Sequence, residues 1–122
     1  MEELINDLFA ARDLAHKLHL STKSFSRHLA LGDLYDALTK FTDDLTEVYQ
    51  GKYGLMDLSK KSQNFEVQNT SSYDPLEYVS ALARWAEGKK EVFHPEDSHL
   101  INMWDEVITQ IYKSKYKIEH LS

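Results

Sequence analysis

Apolar residues recur every three to four positions along most of this chain. Leu4, Leu8, Ala11, Ala15 and Leu18, flanked by Ile5 and Phe9, make one stripe over residues 2–21. That spacing is the signature of an amphipathic helix. Glu2, Glu3 and Asp7 lie near its start, where the helix dipole favours negative charge. The Ser21-Thr22-Lys23-Ser24 run breaks the stripe, and Ser24 is placed to cap a second helix. Phe25, Leu31, Leu34, Leu38, Phe41, Leu45 and Val48 predict that helix over 24–50, roughly 40 Å long. Gly32 stands inside it at a cost of about 1 kcal/mol relative to Ala. Close approach of another backbone, such as that of a partner chain, is one reason to keep a glycine there. Gly51 and Gly54 are the expected stops.

Residues 52–73 carry no helical period and are rich in Ser, Asn, Lys and Thr. So long a link is uncommon in a compact domain. It suits a crossover that lets the third helix run in the same direction as the second. Asp74-Pro75 opens that third helix, over 75–92, with Asp74 as cap and Pro75 in the first turn. Leu76, Val79, Leu82 and Ala86 form its stripe; Gly88 and Phe93-His94-Pro95 close it. Ile101, Trp104, Ile108 and Ile111 mark a fourth helix over 97–121. The predicted fold is all-α: a single domain over 1–122, a four-helix bundle of the ferritin-like kind with a long crossover between helices two and three.

Composition narrows the chemistry. Gly is 4 and Pro is 2, which suits few, long elements. Lys+Arg is 14 against Asp+Glu 20, a net charge of −6. Lys60-Lys61 and Lys89-Lys90 are too sparse to make a nucleic-acid surface on such a chain. There is no Cys, so a metal would need His and carboxylates. The Met-Glu-Glu-Leu start has no cationic n-region and no apolar run reaches a membrane span, so the expectation is a cytoplasmic protein with no signal peptide and no membrane partner.

His16, His28, Asp43 and Glu47 succeed one another at intervals of twelve, fifteen and four. Imidazoles and carboxylates suit iron, zinc or manganese. His16 and His28 flank a turn, and Asp43 and Glu47 share a helix face. Asp43, however, lies about 22 Å along the helix axis from His28. The four converge only if an antiparallel second chain brings its Asp43 and Glu47 to the first chain's histidines, which predicts at least a two-fold homodimer with shared sites.

His16, His28, Asp43 and Glu47, with Leu34-Tyr35-Asp36-Ala37-Leu38 and Phe41-Thr42-Asp43-Asp44-Leu45-Thr46-Glu47, resemble the first two helices of Dps-type mini-ferritins. That family's inter-subunit ferroxidase site has this residue order. The resemblance implies iron or another divalent metal, ligated by His16 and His28 from one chain and by Asp43 and Glu47 from the other, and ferroxidase-type chemistry if the metal is redox-active. The chain departs from the family at Gly32, where an Asp is usual, at Lys17, where a Trp is frequent, and in lacking a basic tail. Thr22 to Leu31 and Tyr49 to Gly54 are also similar to small tailed-phage proteins. That likeness implies a rival: a non-catalytic protein that binds and modulates a host protein in the host cytoplasm, using its acidic surface and the 52–73 link.

The blander readings are a solvated face for Asp43 and Glu47 and a surface or capping role for His28. His19, three after His16, reads as surface rather than a fifth ligand. Glu91-x-x-His94 and Glu96-x-x-His99 echo di-iron motifs, but Pro95 and Gly88 spoil their regular projection. A small anionic ligand held between helices ranks last, since no loop is built to cradle phosphate.

Overall fold

The computed structural model describes residues 1–121. Its helices are α1 (Glu2–Ser21), α2 (Phe25–Tyr53), α3 (Pro75–Gly88) and α4 (Ser98–His120), with a 3-10 turn at Lys90–Val92. No described residue is in a strand. Helices α1 and α2 form one antiparallel hairpin, and α3 and α4 form the other; α2 lies against α4. The hairpins are joined by the 54–74 segment.

The directions follow from three ion pairs. Lys52, at the end of α2, meets Asp97, just before α4. Lys117, late in α4, lies 3.6 Å from Asp33, early in α2. The two helices are therefore antiparallel. Arg27, in the first turn of α2, lies 3.2 Å from Asp74, the cap of α3, so α2 and α3 start at the same end and run in parallel. The crossover must then travel the length of the bundle, as the link's length predicted.

The core is the sum of the apolar stripes. Leu8, Leu34, Leu38, Leu82, Trp104 and Ile111 are fully buried. Each such side chain contributes roughly 1.5–3 kcal/mol on burial. Two buried polar tips are satisfied across helices. The Tyr78 hydroxyl donates to the Ala11 carbonyl at 2.6 Å, and Trp104 Nε1 donates to the Ala86 carbonyl at 2.8 Å. Burial pushes the Tyr78 hydroxyl far above its ordinary range.

Asp7 departs from its sequence reading. It stands on the apolar stripe, three after Leu4 and four before Ala11, and is 1% exposed. A buried carboxylate is tolerated only with donors around it. Its Oδ1 accepts from Ser62 Oγ at 2.5 Å and Asn64 Nδ2 at 3.1 Å, and its Oδ2 accepts from Trp85 Nε1 at 3.3 Å. Asp7 thus clasps the crossover and α3 onto α1. Beside it Phe65 meets the edges of Tyr78 and Trp85, with ring centroids 6.4 and 5.4 Å away. Phe65 holds a left-handed backbone, φ 64, a conformation costing about 1–2 kcal/mol for a residue with a Cβ. Its ring contacts and the Asp7 clasp hold it there. Glu2 and Ser21 add anchors at either end of α1, to the Asp57 amide at 3.2 Å and the Thr70 hydroxyl at 2.9 Å.

Helix ends differ from the sequence expectation for local reasons. Ser24 caps α2 by accepting from the Arg27 amide. The helix continues through Gly51 to Tyr53 because Lys52 and Tyr53 both bond Asp97, and it stops at Gly54, whose φ of 95 suits glycine. α3 ends at Gly88, and the chain tightens into the 3-10 turn so that Phe93 can enter the core beside Trp104. Asp97 precedes α4 but its side chain does not cap it. Its carboxylate is spent on Lys52 and Tyr53.

Two outcomes test these ties. Asp7→Ala leaves three donors without their acceptor and lowers stability by about 2–3 kcal/mol in urea unfolding. The Lys52 and then the Tyr53 hydrogen bonds hold the Asp97 carboxyl below its usual range, while the bond to Asp97 raises Lys52 and Tyr53. The tie is therefore complete above the unfolded carboxylate value of about 3.9 and below about 10. It is lost as pH falls through the folded value of Asp97, and again as pH rises through those of Tyr53 and Lys52. Asp97→Asn should flatten the acid limb of a stability-against-pH curve; an acid limb as steep as the parent's would remove Asp97 from this role.

Candidate functional site

The α1–α2 turn brings His28 against His19, with His16 one turn earlier. His19 Nδ1 donates to the His28 carbonyl at 2.6 Å, and His28 Nδ1 donates to the His19 carbonyl at 2.7 Å. Carbonyls only accept, so both rings carry hydrogen on Nδ1. The rings lie face to face, centroids 3.8 Å apart and planes within 15°. This reciprocal pair closes the last turn of α1 onto the first turn of α2. His16, one turn earlier, stacks on Tyr35 of α2 at 4.1 Å. Phe25 extends the column beyond His28 at 6.3 Å.

The remaining lone pair of each ring, on Nε2, lies in its ring plane. Two near-parallel planes 3.8 Å apart cannot aim both lone pairs at one ion about 2.0–2.1 Å from each. His16 is 6.3 Å from His19, ring to ring, and faces Tyr35. Asp43 and Glu47 are exposed on the far half of α2, about 22 Å along the axis from His28 as helix geometry requires. Among the described residues no three His, Asp or Glu side chains are grouped to hold a metal. His94, Glu91, Glu96 and His99 are exposed around the α3–α4 link.

His19, read from the sequence as surface, is half-buried and explains Gly32. A Cβ on Gly32 would meet His19 Cε1 at 2.9 Å and Nδ1 at 3.0 Å. The close approach that this glycine permits is that of an imidazole from the same chain, not of a partner's backbone. The i, i+4 spacing of His28 and Gly32, with His19 nine residues before His28, is the sequence signal for the arrangement.

The same end of the bundle carries the largest concentration of uncovered apolar side chains. Leu20, Phe25 and Leu29 are 68, 74 and 52% exposed. Tyr116 and Leu121, near the end of α4, are also exposed, and the Lys117–Asp33 pair places that end beside the start of α2. Along the outer face of α2 the character then changes: beyond Leu29 come Asp33, Asp36, Lys40, Asp43 and Glu47, all exposed.

A family described as "Family of unknown function (DUF5856)" matches residues 19–118. No curated protein and no solved structure matches the chain. The resemblance to Dps-type mini-ferritins and to tailed-phage proteins is accordingly corrected. The family that matches is one of unknown function, with no ferritin match and nothing that supports a phage protein; His28 is paired with His19, and Asp43 and Glu47 are exposed. No helix among the described residues is long and apolar enough to cross a membrane.

The His19–Gly32 contact predicts a change of sign. Gly32→Ala destabilises the parent despite the gain in helix propensity of about 1 kcal/mol, because the pinned imidazole must move. In a His19→Ala background the same change stabilises by about 1 kcal/mol. Equal effects of Gly32→Ala in both backgrounds, read by thermal unfolding, would show that the ring does not limit the site.

Proposed function

The chain belongs to DUF5856, and for it we propose a self-associating interaction module: a homo-oligomer, at its simplest a two-fold dimer, joined through the α1–α2 end of the bundle. The observation that carries this reading is the exposure of Leu20, Phe25 and Leu29 at 68, 74 and 52%. Soluble proteins seldom leave adjoining large apolar side chains uncovered without a partner. The patch is also self-complementary: an end-on two-fold axis sets apolar against apolar.

The outer face of α2 argues against the alternative in which two α2 helices lie side by side, antiparallel. That arrangement sets Phe25 and Leu29 against the partner's acidic far half, Asp43 and Glu47. It buries charge without a cation opposite it. The metal expected from the sequence is not needed for end-on pairing, which rests on the apolar contact alone.

Magnitudes set the strength. A two-fold dimer covers one Phe and two Leu from each protomer, and since each is already about one-third buried the six together return roughly 6–12 kcal/mol, against an association cost of about 4 kcal/mol or more. The balance corresponds to a dissociation constant in the micromolar range or weaker. Sedimentation equilibrium should therefore show monomer at low concentration, dimer at high concentration, and no effect of chelator. Phe25→Asp with Leu29→Glu should remain monomeric throughout, with thermal unfolding at low concentration unchanged, since both side chains are exposed. A parent that stays monomeric near its solubility limit overturns the reading; a variant that still dimerises overturns its location.

A further inference from the structure

Helix α1 has a third face, turned away from both α2 and α3, that the crossover covers only in part. Between them is a cleft of about 600 Å³, within the size range of small-molecule sites. Its walls are mixed, and their apolar part comes from Phe9 and Ala10 of α1 and from Leu58, Phe65 and Val67 of the crossover. Phe9, Phe65 and Val67 are only half-buried, so the cleft leaves apolar surface in contact with water.

Three lysines border the same cleft: Lys17 from α1, Lys60 and Lys61 from the crossover. Asp13 and Glu66 are the carboxylates there. None of the three lysines takes part in an ion pair among the described residues. In a chain of net charge −6, the cleft is thus a local region of positive excess, by one charge, over an apolar floor. The floor is held open by a rigid frame. Ser62 and Asn64 are fixed on Asp7, Phe65 is fixed against Tyr78 and Trp85, and Thr70 is tied to Ser21. The crossover therefore cannot simply fall onto α1 and fill the space.

We propose that this cleft binds a small monoanionic amphiphile, an apolar chain bearing one carboxylate. The chain would lie along Phe9, Ala10 and Leu58, and the carboxylate would take the unpaired lysines. The apolar walls supply affinity by burial, and the excess of one positive charge selects a single anionic head over a neutral or dianionic one. This site lies on a different face from the α1–α2 end and does not depend on self-association.

The test uses decanoate and, as the neutral analogue, 1-decanol, titrated into the full-length protein and followed by amide and methyl chemical shifts. Decanoate should perturb Ala10, Leu58 and Val67 saturably, and 1-decanol should bind about two- to fivefold more weakly, the equivalent of one ionic contact at a partly exposed site. Lys60→Glu with Lys61→Glu, both exposed, should cost decanoate about tenfold or more while leaving 1-decanol unchanged. Ala10→Trp should block both ligands by filling the cleft. Equal affinity for the two ligands overturns the charge selection. Decanoate binding that survives both variants, or no shifts at the cleft at millimolar ligand, overturns the site.

Discussion

The architecture depends on a buried carboxylate. A chain whose second and third helices run in parallel needs a link that crosses the whole bundle. A link of that length loses much conformational entropy when it is fixed. Here it is fixed by Asp7, which accepts from Ser62, Asn64 and Trp85. One side chain on α1 thereby ties down both the crossover and, through Trp85, the last turn of α3, while the separate Tyr78–Ala11 bond ties the first turn of α3 to α1.

A hydrophobic period encodes faces and lengths, and those were legible. Four stripes at threes and fours specify four helices, and the polar 52–73 stretch specifies a crossing link. The role of Asp7 was not legible as such. Its acid side chain near a helix start fits the dipole equally well, and only its place in the Leu4–Ala11 stripe hints at burial. The partners that settle the matter lie far along the chain, where no local pattern points. The same holds for Lys52, Tyr53 and Asp97, whose contact extends α2 past Gly51.

The histidines were legible in position but not in contact. Spacing placed His16, His28, Asp43 and Glu47 correctly along the helices, including the distance that keeps His28 from Asp43. What spacing cannot give is ring orientation. The reciprocal Nδ1–carbonyl bonds of His19 and His28 are a fastening between consecutive helices, made from residues whose type alone reads as ligand. Gly32, expected to leave room for a partner's backbone, leaves room for that fastening.

The position of Asp7 also has a consequence for biosynthesis. Its acceptor atoms meet donors 55, 57 and 78 residues later in the chain. At roughly 5–20 residues per second of translation, α1 waits seconds before Trp85 is made. Throughout that interval its apolar stripe is interrupted by a carboxylate that only water can satisfy. A lone α1–α2 hairpin therefore cannot bury its inner face cheaply on itself or on a neighbouring nascent chain. The residue that locks the finished bundle is the same one that keeps the unfinished one from closing early.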